Sequence, residues 1–138
     1  MRSTNREIVR DAFAEWMSGT GYIAGIFDTD MCWEIAGRSA LAGTYRGSKE
    51  FVNKVLHPFG ARFSESAPFR PVAIRGLYAD DEQNAVVVVW DGEGTTLDGT
   101  PYRNTYAWVL TLQDGKVCHA IAFFDSIALD EVWAVTPA

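Results

Sequence analysis

After Pro58 the spacing of apolar residues changes, and it does not change back. Before that point they recur at three and four, the period of a helix with one buried face. Beyond it they alternate or run continuously, as strands do. A chain that puts its helical segments early and its long strands late does not build the alternating strand–helix units of a parallel sheet. The order predicts an α+β fold.

The segments follow from local pattern. Ile8, Ala12, Phe13, Trp16 and Met17 form one stripe over residues 5–18, with Arg6, Glu7, Arg10, Asp11 and Glu15 elsewhere, so the spacing predicts an amphipathic helix. Gly19 and Gly21 stop it. A short second helix is expected over 22–27, a turn at 28–30 and a first strand over 31–36. Ser48 fits an N-cap with Glu50 in the first turn, and Phe51, Val52, Val55 and Leu56 give a third helix its apolar face. Strands follow over 69–79 and 85–94. Residues 101–125, PYRNTYAWVLTLQDGKVCHAIAFFD, read as a long hairpin closed near Gln113, Asp114 and Gly115. The expected architecture is a cone: a curled, mixed, mostly antiparallel sheet packed on three N-terminal helices. Five tryptophans, five tyrosines and eight phenylalanines can line a cavity inside it.

Composition removes several classes of function. A length of 138 residues suits one domain over 1–138. A net charge of -6 and a pI near 4.8 deny the chain the positive face that a nucleic-acid backbone needs. No apolar run approaches a membrane span, and MRSTNREIVRDAF lacks the apolar stretch of a secretory signal. A cytoplasmic location is expected, with Cys32 and Cys118 as reduced, buried thiols. His57 and His119 are too few for a metal site, and Cys118 and His119, adjacent in a strand, face opposite ways. With no GxGxxG, Walker, HExxH or GxSxG sequence, no cofactor is expected.

Strand parity locates a candidate site. Tyr102, Asn104, Tyr106 and Trp108 share one face; Ala120, Ala122 and Phe124 share one face of the return strand; Trp33 and Ile35 share one face of the early strand. Asn104 either bonds a neighbouring loop or orients a ligand oxygen. The two alanines either leave room for a ligand or admit a close-packed helix. The ligand site is therefore placed at Trp33, Asn104, Tyr106 and Trp108, opposite Ala120, Ala122 and Phe124. Asn104 supplies a hydrogen bond there, and Tyr106 or Trp108 a second bond or a stacking face. His119 and Asp125 are the acid–base candidates. Six residues apart on one strand, roughly 20 Å, they cannot pair, and they serve only if a bulge turns one inward. Asp125 can equally cap a final turn in DSIALDEV. Glu34 and Arg38 are expected to pair near the rim.

The pieces FAEWMSGTG, WEIAG, LAGTYRGSKEF and YRNTYAWVLTLQDGKVCHAIAFFD, in that order, resemble the SnoaL-like, ketosteroid-isomerase-like branch of the nuclear transport factor 2-like (NTF2-like) superfamily over nearly the whole chain. The resemblance implies a cone-shaped, cystatin-like α+β barrel with an apolar pocket, commonly a homodimer. It implies an isomerase, polyketide cyclase or hydratase/dehydratase acting on a small apolar molecule with a polar oxygen. The alternative is a non-catalytic binding or accessory module, and a protein scaffold with a filled cone comes third. Ketosteroid isomerases carry a general-base aspartate at the end of the early strand, a tyrosine on the first helix and a protonated aspartic acid on the long strand. Those places fall here at Ile35, Phe13 and Trp108. The water-orienting aspartate of the limonene epoxide hydrolases falls at Ala122. A homodimer is expected through the outer sheet face, where Val109, Ile121, Phe123 and much of 85–90 are apolar.

Overall fold

The computed structural model describes residues 3–138. Thr4 opens helix α1 (Asn5–Ser18) with a reciprocal cap. Its hydroxyl accepts from the Glu7 N–H, and the Glu7 carboxylate accepts from the Thr4 N–H. Gly19 closes the helix at φ 79°, a left-handed conformation that glycine adopts without a Cβ clash. A single 3-10 turn, Ile23–Ile26, leads into the sheet.

Six strands make that sheet: β1 (Phe27–Ile35), β2 (Gly43–Arg46), β3 (Arg70–Asp80), β4 (Ala85–Thr95), β5 (Pro101–Gln113) and β6 (Lys116–Phe124). Their order is β2-β1-β6-β5-β4-β3. Every neighbouring pair is antiparallel except β1 with β6, which are parallel. Between β2 and β3 run α2 (Ser48–Phe51), a π-helical turn (Val52–Leu56) and α3 (His57–Gly60), and α4 (Ser126–Trp133) follows β6.

The α+β class and the mixed sheet stand, but the cone on three N-terminal helices does not. The sheet is an open ladder whose edge strands, β2 and β3, do not join, so it is not strongly curled. Nor are the helices gathered at the N-terminus, because α4 comes last. Two local causes explain the difference. The corner GTYR pairs with β1 as a sixth strand, and Asp125 caps a full helix where a turn was expected.

Parity places the core. Along β5 the even residues Tyr102, Asn104, Tyr106, Trp108, Leu110 and Leu112 are buried. In β6 a bulge intervenes: Thr111 pairs with His119 but Leu112 pairs with Val117, which leaves Cys118 as the extra residue. Val117 and Ala120, three apart, thereby both reach the core. Aromatic rings fill the space above the sheet. Trp33 stacks on Phe51 at 4.4 Å, and Trp90 stacks on Tyr106 at 4.3 Å. Trp108 stands edge-on to both indoles, 4.9 Å from each.

Helix α4 is held at three places. The buried Arg62 guanidinium donates to the carbonyls of Trp133 (3.2 Å) and Pro58 (2.6 Å) and lies 3.8 Å from the centre of the Trp133 ring. The Ala40 N–H donates to the Asp130 carboxylate at 2.8 Å. At the helix start, Asn104 binds the Asp125 backbone.

Candidate small-molecule site

An apolar cavity of about 50 Å³ lies between the inner sheet face and the helices. Trp16 reaches it from α1, Trp33 and Ile35 from β1, Trp90 from β4, Tyr106 and Trp108 from β5, Ala122 and Phe124 from β6, and Leu129 from α4. The π turn adds the adjacent pair Val55 and Leu56 to Phe51 and Phe59 on the same wall. Most of these side chains are buried; Tyr22, Leu56, Phe69 and Phe124 touch solvent and form the rim. Pockets that enclose whole small molecules usually measure about 300–1,000 Å³. Occupancy therefore requires some of the lining rings to turn aside.

Among the described residues no Asp, Glu, His, Lys or Arg lines the cavity. Its polar atoms belong to aromatic rings. The indole N–H groups of Trp33 and Trp90 are buried and have no hydrogen-bond partner. The Tyr106 hydroxyl is bonded to that of Tyr102 at 2.7 Å, and Tyr102 also accepts from the Asn104 amide at 2.8 Å. Burial pushes the Tyr102 hydroxyl up to about 12 and that of Tyr106 well above the ordinary tyrosine value. Neither phenol ionises near neutral pH, so neither is a general base there.

The residues singled out from sequence divide into two groups. Trp33, Tyr106, Trp108, Ala122 and Phe124 meet at the cavity. Ala120 is fully buried but pairs one row away, between Trp33 and Leu110, and is not on the wall. Asn104 is also off the wall. Its amide donates to the Asp125 carbonyl (2.9 Å) and its oxygen accepts from the Asp125 N–H (3.1 Å), so with Tyr102 both of its donors and one of its two acceptor positions are taken. Its role in this geometry is to tie β5 to the start of α4. His119 is exposed on the outer face; the bulge at Cys118 sends its extra residue outward and does not turn His119 in. The Asp125 carboxylate caps α4, accepting from the Ile127 N–H (3.0 Å) and the Ala128 N–H (3.3 Å). Among the described residues no ion pair joins Glu34 to Arg38. Nor does any group of three His, Cys, Asp or Glu among them stand ready to hold a metal ion. No helix among them is long and apolar enough to cross a membrane.

Trp16 and Trp90 are the two tryptophans of the wall that sequence reasoning left out, along with apolar residues such as Phe51, Phe59 and Leu129. Trp16 was legible as helix core, yet nothing in its spacing says that a cavity faces it. Trp90 ends the run AVVVVW, in which both faces are apolar and alternation is hidden. The structure separates them: Val86, Val88 and Trp90 are fully buried, whereas Val87 and Val89 are half-buried.

No family model matches the chain, and no curated protein matches it. Solved structures do. An NTF2-like protein from Burkholderia thailandensis is 24% identical, with 96% of this chain and 98% of that one covered and a TM-score of 0.71. TerC, co-crystallized with polyporic acid, is 24% identical, with 95% and 98% covered and a TM-score of 0.72. A putative isomerase from Bacillus subtilis is 14% identical, with 97% and 98% covered and a TM-score of 0.74. These likenesses establish an NTF2-like fold for the chain. At such identities they carry neither the SnoaL-like branch nor a reaction.

Proposed function

We propose that this chain is a small-molecule binding or accessory module of the SnoaL-like kind. Its ligand is a flat, largely apolar molecule held among the aromatic rings, and the protein contributes no proton transfer. One observation carries this reading: among the described residues the cavity wall has no carboxylate and no imidazole. An isomerase, polyketide cyclase or hydratase needs a base within hydrogen-bond reach of its substrate. The places where the resemblance would put such groups are held by Phe13, Ile35, Trp108 and Ala122. The TerC co-crystal with polyporic acid supports a small molecule as a fit occupant for this fold.

Titration with small ketones, lactones and aromatic polyketide fragments, followed by amide and indole shifts in NMR, tests the reading. Saturable binding at one site is expected, with the largest shifts at Trp108, Ala122 and Phe124. Incubating the same ketones with the protein in heavy water reports proton transfer. Deuterium entering the carbon beside the carbonyl faster than in buffer alone would restore the enzyme reading.

We also infer a homodimer formed through the outer sheet face. Register aligns Tyr78, Val87, Val109 and Ile121 in one row and Val89, Ala107 and Phe123 in the next. Tyr78 is 63% exposed and Phe123 47%, and a contiguous apolar face of this kind marks an interaction surface. The Arg75–Asp91 and Arg103–Glu93 pairs supply a polar margin. Sedimentation at micromolar concentration is expected to give twice the chain mass, and a monomer there removes the inference.

A further inference from the structure

We propose that the indole N–H groups of Trp33 and Trp90 are the two recognition points of the cavity, and that its ligand is an uncharged, flat molecule with a carbonyl oxygen towards each end. This rests on the reading of the cavity as a binding site and adds the chemistry of what it binds. Trp33 is 1% exposed and Trp90 is not exposed at all, and both N–H groups lack a partner. A buried donor without an acceptor is costly, and such groups are rare in folded proteins. Phenylalanine would complete the same walls without that cost. Among the described residues three buried side-chain polar atoms are unpartnered, and the third, the Ser39 hydroxyl, is not on this wall. Both unpartnered indoles therefore belong to one apolar chamber.

Their placement defines the ligand. Trp33 projects from β1 and Trp90 from β4, three ladder steps apart in the sheet. Trp33 aligns through Ala120 and Leu110 with Val86, four residues along β4 from Trp90, so their backbones stand on the order of 20 Å from one another. Trp108, from the intervening β5, is edge-on to both. Stacking fixes each ring, Trp33 on Phe51 at 17° and Trp90 on Tyr106 at 11°. The two donors are thus separate points, each carried on a stacked ring. An indole nitrogen donates and cannot accept, so its partner must be an acceptor. A carboxylate is a poor candidate, because the wall offers no positive charge. A hydroxyl accepts but brings its own proton, and the Tyr106 oxygen that could receive it is already engaged by Tyr102. Carbonyl oxygens satisfy both indoles and bring nothing unsatisfied with them.

Three compounds of nearly one shape separate the possibilities: para-diacetylbenzene with two carbonyls, para-ethylacetophenone with one and para-diethylbenzene with none. Titrations of the whole chain, labelled with nitrogen-15, would follow the five indole signals. Those of Trp33 and Trp90 are assigned by their through-space contacts to Phe51 and Tyr106. The diketone should bind tightest, with about a fivefold loss for each carbonyl removed. Only these two indole protons should move downfield in the pattern of a new hydrogen bond. Trp33→Phe and Trp90→Phe should each cost the diketone more affinity than they cost the hydrocarbon, by about the fivefold step of one carbonyl. If all three compounds bind equally, or the two indole signals stay still at saturation, the carbonyl inference falls while the binding reading stands. If none of the three binds, the binding reading falls and takes the inference with it. The indole signals of the unaltered chain decide the matter even where a variant does not fold.

Discussion

Asn104 and the pair Trp33 and Trp90 are buried polar residues of one sheet, and they are treated in opposite ways. Every hydrogen-bonding group of the Asn104 side chain has a partner, on Tyr102 or the Asp125 backbone. The two indoles have none. The first arrangement locks a strand to a helix and leaves no donor for a ligand. The second leaves unpartnered donors on two side chains that line a small apolar space. Partnership, more than burial, separates a polar group that builds the fold from one that is free to recognise something else.

The largest effect is expected where the network is closed. Asn104→Ala strands the Asp125 N–H and removes one bond each from the Tyr102 hydroxyl and the Asp125 carbonyl, which keeps the Leu129 N–H, and should cost about 2 kcal/mol in urea unfolding. Ligand affinity measured on the folded fraction should hold. A loss of affinity with stability intact would move Asn104 back into the binding site.

Ala122→Leu should match it. The added branch exceeds what a cavity of about 50 Å³ takes without strain, so a cost of about 2 kcal/mol is expected. Binding of para-diacetylbenzene should disappear in calorimetry; unaltered binding would put the ligand elsewhere.

Alkaline pH should open the same network. Tyr102 holds its proton up to about 12 in the fold, and Tyr106 beyond the usual range, whereas unfolded tyrosine releases it near pH 10. Above about pH 10 the unfolded state binds fewer protons than the folded one, so stability falls as pH rises. Below that value these two groups contribute no slope. Urea midpoints between pH 8 and about 11.5 check this, and Tyr102→Phe should flatten the decline.

The smallest effect belongs to the unpartnered side. Trp33→Phe or Trp90→Phe removes ring area but also an unsatisfied donor, and the two should nearly offset, within about 1 kcal/mol. A loss as large as that of Asn104→Ala would mean that the indoles serve the fold, and the contrast drawn above would fail.

Much of this was legible in the chain itself. The repeat of apolar residues and the flanking glycine placed α1 at residues 5–18, the span it occupies. Parity put Tyr106, Trp108, Ala122 and Phe124 on the cavity side. Parity names a face, however, and not a position along it. Asn104 shares that face but lies where α4 closes the end of the sheet, a contact set by a residue 21 positions away. The short β2 has no alternation to read, being mostly exposed, and exists through its pairing with β1. Helix α4 needed Arg62 and Ala40 to hold it, and neither is near it in sequence. The π turn likewise leaves no mark in composition.

The parallel ladder between β1 and β6 sets the order of events during synthesis. Trp33 must find Ala120, and Ile35 must find Ala122, partners made long after β1 has left the ribosome. Until then β1 can pair only with the four residues of β2, and a two-stranded hairpin is marginal by itself. Met31, Trp33 and Ile35, all buried at the end, wait uncovered. Such non-local pairing slows folding and exposes apolar surface in the interval. A nascent chain halted before Lys116 is therefore expected to hold this apolar surface open to chaperones until the last strand is made.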